Sequence, residues 1–166
     1  MPNFRLEKLE IPPESTQNTL MATDVPNGYW RIVCDQIADN QPSWELIMAV
    51  NQMEIEPITL STSKGIVFVG AESGLFCIRE QTGEIIFSIN DLTFVQSMEM
   101  LSNERVLISA EDELLLFSSE GHLKWRVNLP DIVVDITEVS NDIEVELDSG
   151  EKLYIITETG LQSTRL

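Results

Sequence analysis

Three glycines, Gly83, Gly121 and Gly160, recur 38 and 39 residues apart, and that period restricts the fold more than any other feature of the chain. The segment Gly70–Asn90, GAESGLFCIREQTGEIIFSIN, lies over Ser109–Asn128, SAEDELLLFSSEGHLKWRVN, once one residue is deleted. Leu75–Ile78 then falls on Leu114–Phe117, Ile85 on Leu123, Phe87 on Trp125 and Ile89 on Val127. A third copy, Gly150–Leu166, follows in register. Such a period holds four short strands and their turns; it is too short for two long helices, their loops and a strand.

Strand chemistry agrees with the period. Ile66–Val69, Leu75–Ile78 and Leu114–Phe117 are apolar on both faces, so each must be covered on both sides. The last segment of a repeat alternates instead. Leu123, Trp125, Val127 and Leu129 fall on one face, Lys124, Arg126 and Asn128 on the other, as in a half-buried outer strand. Thr82-Gly83, Glu120-Gly121 and Thr159-Gly160 put a residue tolerant of positive φ in the intervening turn.

The expected strands are 54–60, 66–70, 75–79 and 84–89 in the repeat 54–91; 93–99, 105–109, 114–118 and 122–128 in 92–130; and 132–138, 142–147, 152–157 and 161–165 in 131–166. Residues 1–53 are not recognisably a repeat but read as strands at 4–11, 18–23, 29–37 and 43–51, with Asp39-Asn40-Gln41-Pro42 as a turn. They suit a degenerate further blade. The expectation is one all-β domain over 1–166: tandem four-stranded antiparallel meanders in a small or incomplete β-propeller-like stack of three to four blades.

Leu75–Phe87, with Thr82-Gly83 and an aromatic residue four positions after the glycine, resembles the repeat of PQQ-type (quinoprotein-like) propellers. Gly121-His122-Leu123-Lys124-Trp125 resembles it more closely, with the tryptophan in place. In that family a T-G-x-x-x-W segment docks each blade onto the next, so the resemblance, over about residues 54–166, implies the blade. It does not carry the cofactor across: the family's enzymes are several times longer, and their vicinal cysteines and calcium-binding carboxylate and amide set have no counterpart here. No cofactor is expected. A closed ring, an open stack and a dimer-completed one all remain open.

The chain carries 28 acidic and 10 basic side chains, a formal net charge of −18. Residues 1–64 hold nine acids and four bases, and residues 65–166 hold nineteen and six, so the surplus lies in the repeats. That field repels phosphate backbones and anionic membranes and steers cationic partners inward. The start MPNFRLEKLEIPPES has no apolar h-region, and the longest apolar runs are four or five residues. A cytoplasmic protein is expected, without a nucleic-acid or membrane partner.

Asp142-Ile143-Glu144-Val145-Glu146-Leu147-Asp148 alternates throughout, with the acids outward and spaced by about 6.6 Å. A two-residue turn at Ser140-Asn141 would set Val134 opposite Leu147, Ile136 opposite Val145 and Asp135 opposite Glu146. Like charges facing across a sheet destabilise it. The candidate partner-binding residues are therefore Asp131, Asp135, Glu144, Glu146 and Asp148, a landing surface for a Lys- and Arg-rich partner; the competing reading is a solvated acidic face. No calcium-loop pattern, zinc spacing or phosphate loop occurs, so no metal site is expected. Glu111-Asp112-Glu113 reads as an acidic hairpin tip. His122, the one histidine, follows a turn glycine and has no identifiable nucleophile, so no catalytic residue is expected. Cys34 and Cys77 read as buried small hydrophobes, and Trp30, Trp44 and Trp125 as core.

These features point to a non-enzymatic binding module with an acidic surface for a basic protein. A small, strongly acidic chain of this kind suits an immunity protein neutralising a cationic toxin. The alternative is a structural propeller segment that self-assembles as a homo-oligomer or completes a larger complex. A quinone-binding or enzymatic remnant is the third reading.

Overall fold

The computed structural model describes residues 3–10, 19–24, 26–35 and 44–163. Among them there is no helix; the regular structure is fifteen strands in four sheets. The chain divides into two compact units, Met1–Val95 and Gln96–Leu166.

The first unit opens with β1 (Asn3–Leu9), β2 (Thr19–Met21), β3 (Gly28–Asp35) and β4 (Trp44–Val50), in the order β1-β3-β4-β2. This sheet departs from a meander because β2 runs parallel to β4, pairing Leu20 with Met48. Met48, Ala49 and Val50 are wholly buried, and β2 covers the open edge of that apolar strand with Leu20, which is only 2% exposed. The second sheet is a meander of β5 (Ile58–Ser61), β6 (Ile66–Ala71), β7 (Gly74–Arg79) and β8 (Ile85–Ile89). Ile32, Leu46, Met48 and Val50 of the first sheet pack with Val67, Val69, Phe76 and Ile78 of the second. Each such buried side chain contributes about 1.5–3 kcal/mol of transfer free energy. The expected turn at Asp39–Pro42 lies outside the described residues.

The second unit holds the meander β9 (Val95–Met100), β10 (Val106–Ala110), β11 (Glu113–Phe117) and β12 (Leu123–Asn128), then the three-stranded sheet β13 (Val133–Val139), β14 (Asp142–Leu147) and β15 (Lys152–Ile156). Leu107, Leu114 and Leu116 pack with Ile143, Val145, Leu147, Leu153 and Ile155. The expected strand 161–165 is represented by a bridge between Ile155 and Gln162, with Ser163 N–H donating to Tyr154 O; residues 164–166 lie outside the description. The strand expected from residue 54 begins at Ile58, after a turn through 52–55.

Each unit repeats one docking contact. Gly83 (φ +71°) and Gly160 (φ +70°) close the turn after a third strand. Trp44 covers Gly83 and donates its indole N–H to Glu80 O at 2.6 Å; Trp125 covers Gly160 and donates to Thr157 O at 2.9 Å. A Cβ on either glycine would meet the indole Cγ at 2.8 Å. The glycine is therefore required twice, by its backbone conformation and by the ring lying on it. Trp44 and Trp125 thus lie half-buried, whereas Trp30 is in the core at 9% exposure.

The outer strands β8 and β12 share a bulge just after the turn, opposite Cys77/Ile78 and Leu116/Phe117 respectively. The extra residue breaks the alternation read from sequence, so Leu123 is 48% exposed instead of facing inward. Cys34 and Cys77 are buried, and burial pushes their thiols up to about 11 and about 12. Both should resist a thiol-specific reagent in the native protein at pH 8 and react on unfolding; rapid native labelling would contradict this packing. Gly150 (φ +80°) has nothing within 4 Å of its missing Cβ, so Gly150→Ala carries only the backbone cost of about 1–2 kcal/mol. Gly160→Ala adds the collision with Trp125 and should lower the unfolding free energy, measured by urea denaturation, by about 1–3 kcal/mol more.

Candidate protein interface on the fourth sheet

The hairpin β13–β14 turns through Ser140-Asn141 with Ser140 at φ +59°, and Val139 pairs with Asp142. This two-residue turn sets Ile136 opposite Val145 and Asp135 opposite Glu146, as the alternation requires. Further along the pairing slips: Val133, not Val134, faces Leu147, because the strand bulges between Val133 and Asp135. Val133 fills the core at 6% exposure and Val134 is expelled to 60%. Asp142, expected to point outward, is instead buried at 6%, between Val139 and Ile156 on the neighbouring strands.

Asp135 and Glu146 face each other, but they continue into a third member. Glu146 pairs on its other side with Lys152 of β15, so the row reads carboxylate, carboxylate, ammonium. Lys152 Nζ stands 2.8 Å from Glu144 Oε1 and 3.6 Å from Glu146 Oε2. The hydrogen bond from Lys152, with a second from Tyr154, holds Glu144 below the usual glutamate range, and the Lys152 ammonium is correspondingly raised. The repulsion anticipated from two carboxylates is thereby offset by one lysine. Its position was readable from a β14–β15 hairpin through Asp148-Ser149-Gly150, a turn the strand-by-strand reading did not build.

Asp131 has a different task. Its carboxylate accepts the N–H of Ile132 at 2.9 Å and of Ser149 at 3.0 Å, and the hydrogen bond from Ile132 leads in lowering its pKa. It ties the entry of β13 to the β14–β15 loop. Glu138 likewise binds the β9–β10 hairpin, accepting from the Ser102 N–H and hydroxyl at 2.8 Å each. Asp135 and Asp148 remain: both are exposed, and neither carboxylate has an ion pair or hydrogen bond among the described residues. Glu99, on β9, is raised by burial first and by the Asp135 charge second, which links it electrostatically to this face.

The other sequence candidates have structural surroundings. Glu113 is 5% exposed and pairs with Arg126, while the Glu111 and Asp112 carbonyls accept the N–H groups of Val133 and Leu129 at 2.7 Å each. His122 is exposed, with Nδ1 3.6 Å from Glu120 Oε2. Among the described residues no three His, Cys, Asp or Glu side chains gather as a metal site.

No protein-family model matches the sequence, and no curated protein matches it. Solved structures do match in fold. Dihydro-heme d1 dehydrogenase NirN, in complex with DHE, superposes with TM-score 0.59 at 10% identity over 82% of this chain and 33% of its own. HIRA(644–1017) gives 0.52 at 11%, and Saccharomyces cerevisiae Sqt1 gives 0.51 at 15%, each over 96% of this chain and 48% of its own. The chain spans a third to a half of those proteins. At such identities the likeness establishes architecture alone, and the architecture is all-β and β-propeller-like.

Asp135→Asn should bring the Glu99 pKa down towards the ordinary glutamate value, followed by NMR titration of the carboxyl carbon. Because the folded pKa is raised, Glu99 favours the fold at low pH, and that contribution is lost as pH rises from the unfolded to the folded value. Asp135→Asn should therefore stabilise the protein at neutral pH and lose this advantage in acid; an unshifted Glu99 would show that the two groups do not interact.

Proposed function

We propose that this chain is a non-enzymatic protein-binding module whose acidic fourth sheet receives a basic protein. The observation that carries the reading is the pair of exposed carboxylates without counter-ions among the described residues, Asp135 and Asp148, on a chain of net charge −18. Asp131, Glu144 and Glu146 surround them, each held by an internal partner that fixes the surface a ligand meets. A Lys- or Arg-rich partner would satisfy both groups and be drawn in by the long-range field. Neutralisation of a cationic toxin is the function this chemistry suits. The PQQ-type repeat resemblance supports the scaffold in this reading; no cofactor enters it.

The test uses the immobilised protein and extract from its own cells, washed at low salt and then at about 1 M, where the Debye length is about 3 Å. Expected is a basic protein retained at low salt, shed at high salt, and not retained by Asp135→Lys/Asp148→Lys. Retention that survives both the salt and the charge reversal would overturn the acidic-surface reading. Recovery of the chain's own copies alone would favour a self-assembling propeller segment.

A further inference from the structure

The bulge in β13 leaves two aliphatic side chains in solvent beside the carboxylates of the fourth sheet. Val133 pairs with Leu147 and Asp135 with Glu146, so Val134 is the extra residue of the strand. At 60% it is more exposed than any other large apolar residue in a described strand, and Ile132, just before the strand, is 43% exposed. A single exposed apolar residue is ordinary on a protein surface. Here two branched ones stand within three residues, because the strand breaks its own register. The backbone that carries them is tied down. The Ile132 N–H donates to the Asp131 carboxylate at 2.9 Å, and the Ile132 carbonyl accepts the Asp148 N–H at 2.9 Å. Ile132 therefore adjoins Asp148, and Val134 precedes Asp135 in the chain.

We infer that Ile132 and Val134 are the apolar centre of the fourth-sheet interface, and that its occupant is an amphipathic basic segment with aliphatic side chains set between lysines or arginines. Interfaces draw most of their affinity from a desolvated apolar centre and place charges at its rim. The partner's aliphatic groups cover Ile132 and Val134, and its flanking cations meet Asp135 and Asp148, whose carboxylates are exposed and have no ion pair among the described residues. A purely polybasic segment would leave the apolar pair in water. The fixed backbone around Ile132 lowers the ordering cost of association. The contact is made through side chains: a bulge turns an edge strand away from a further strand, and among the described residues none pairs with the outer side of β13. A second copy would bring its own Asp135, Asp148 and net charge of −18 to the same surface, and is repelled. This inference deepens the proposed function and rests on it for the sign of the partner's charge.

The probes are two pentapeptides of equal charge, one alternating lysine with leucine and the other lysine with serine. Affinity is read by fluorescence anisotropy, and the contact is located by methyl NMR shifts. The lysine–leucine peptide should bind about fivefold or more tightly than the lysine–serine peptide and shift the Ile132 and Val134 methyl signals. Ile132→Thr/Val134→Thr keeps a branched, strand-favouring shape at two exposed positions. It should abolish the leucine advantage and leave the lysine–serine affinity unchanged. Equal binding of the two peptides by the wild type, an advantage that survives the threonine variant, or no binding of either peptide overturns the inference. A wild-type dimer in light scattering that the threonine variant dissociates also overturns it, assigning the apolar pair to self-association. If the two peptides bind equally and both are shed by Asp135→Lys/Asp148→Lys, the apolar centre fails and the acidic-surface reading stands. If the lysine–leucine peptide is lost on the threonine variant but kept in full by Asp135→Lys/Asp148→Lys, the apolar contact stands and the acidic-surface reading fails.

Discussion

An indole lying on a glycine turn organises each unit of this chain. Trp44 over Gly83 and Trp125 over Gly160 combine apolar burial with one indole hydrogen bond to a turn carbonyl. The turn needs a residue at positive φ, and the ring needs a residue with no Cβ; glycine alone meets both demands. The strands that carry the rings belong to the preceding sheet in each case, so the contact sets how one sheet covers the next within its unit. The middle strands β6, β7, β10 and β11 depend on that cover. They are buried on both faces, and without a neighbouring sheet their backbone ladders would leave a wholly apolar surface in water.

The acidic composition becomes more specific once the charges are placed. Of the five candidate carboxylates Asp131, Asp135, Glu144, Glu146 and Asp148, one ties a loop, two share Lys152, and two face solvent without an ion pair among the described residues. The likeness to NirN, HIRA(644–1017) and Sqt1 supplies the architecture on which this surface sits, and the residues alone supply its chemistry.

How far the sequence could be read varies from element to element. Strands β6 to β8 and β10 to β12 were legible to within a residue or two, because their apolar runs, turns and repeat period all agree. The order β1-β3-β4-β2 was not, because no local pattern tells a three-residue strand to run parallel to β4. At the candidate site the facing of Asp135 and Glu146 followed from alternation and a two-residue turn. The burial of Asp142 did not, since it depends on Val139 and Ile156 from the strands on either side.

By itself, then, the sequence determined the period, the strands, the glycine turns and the sign of the surface, because each is written in local spacing and composition. Tertiary structure alone decided which carboxylates keep a free charge. Lys152 reaches Glu144 and Glu146 only after β15 has folded back beside β14, and the slip at Val134 depends on Val133 finding the core. Both are matters of register between strands, and register is set by what packs on a strand's far side, a relation no single strand encodes.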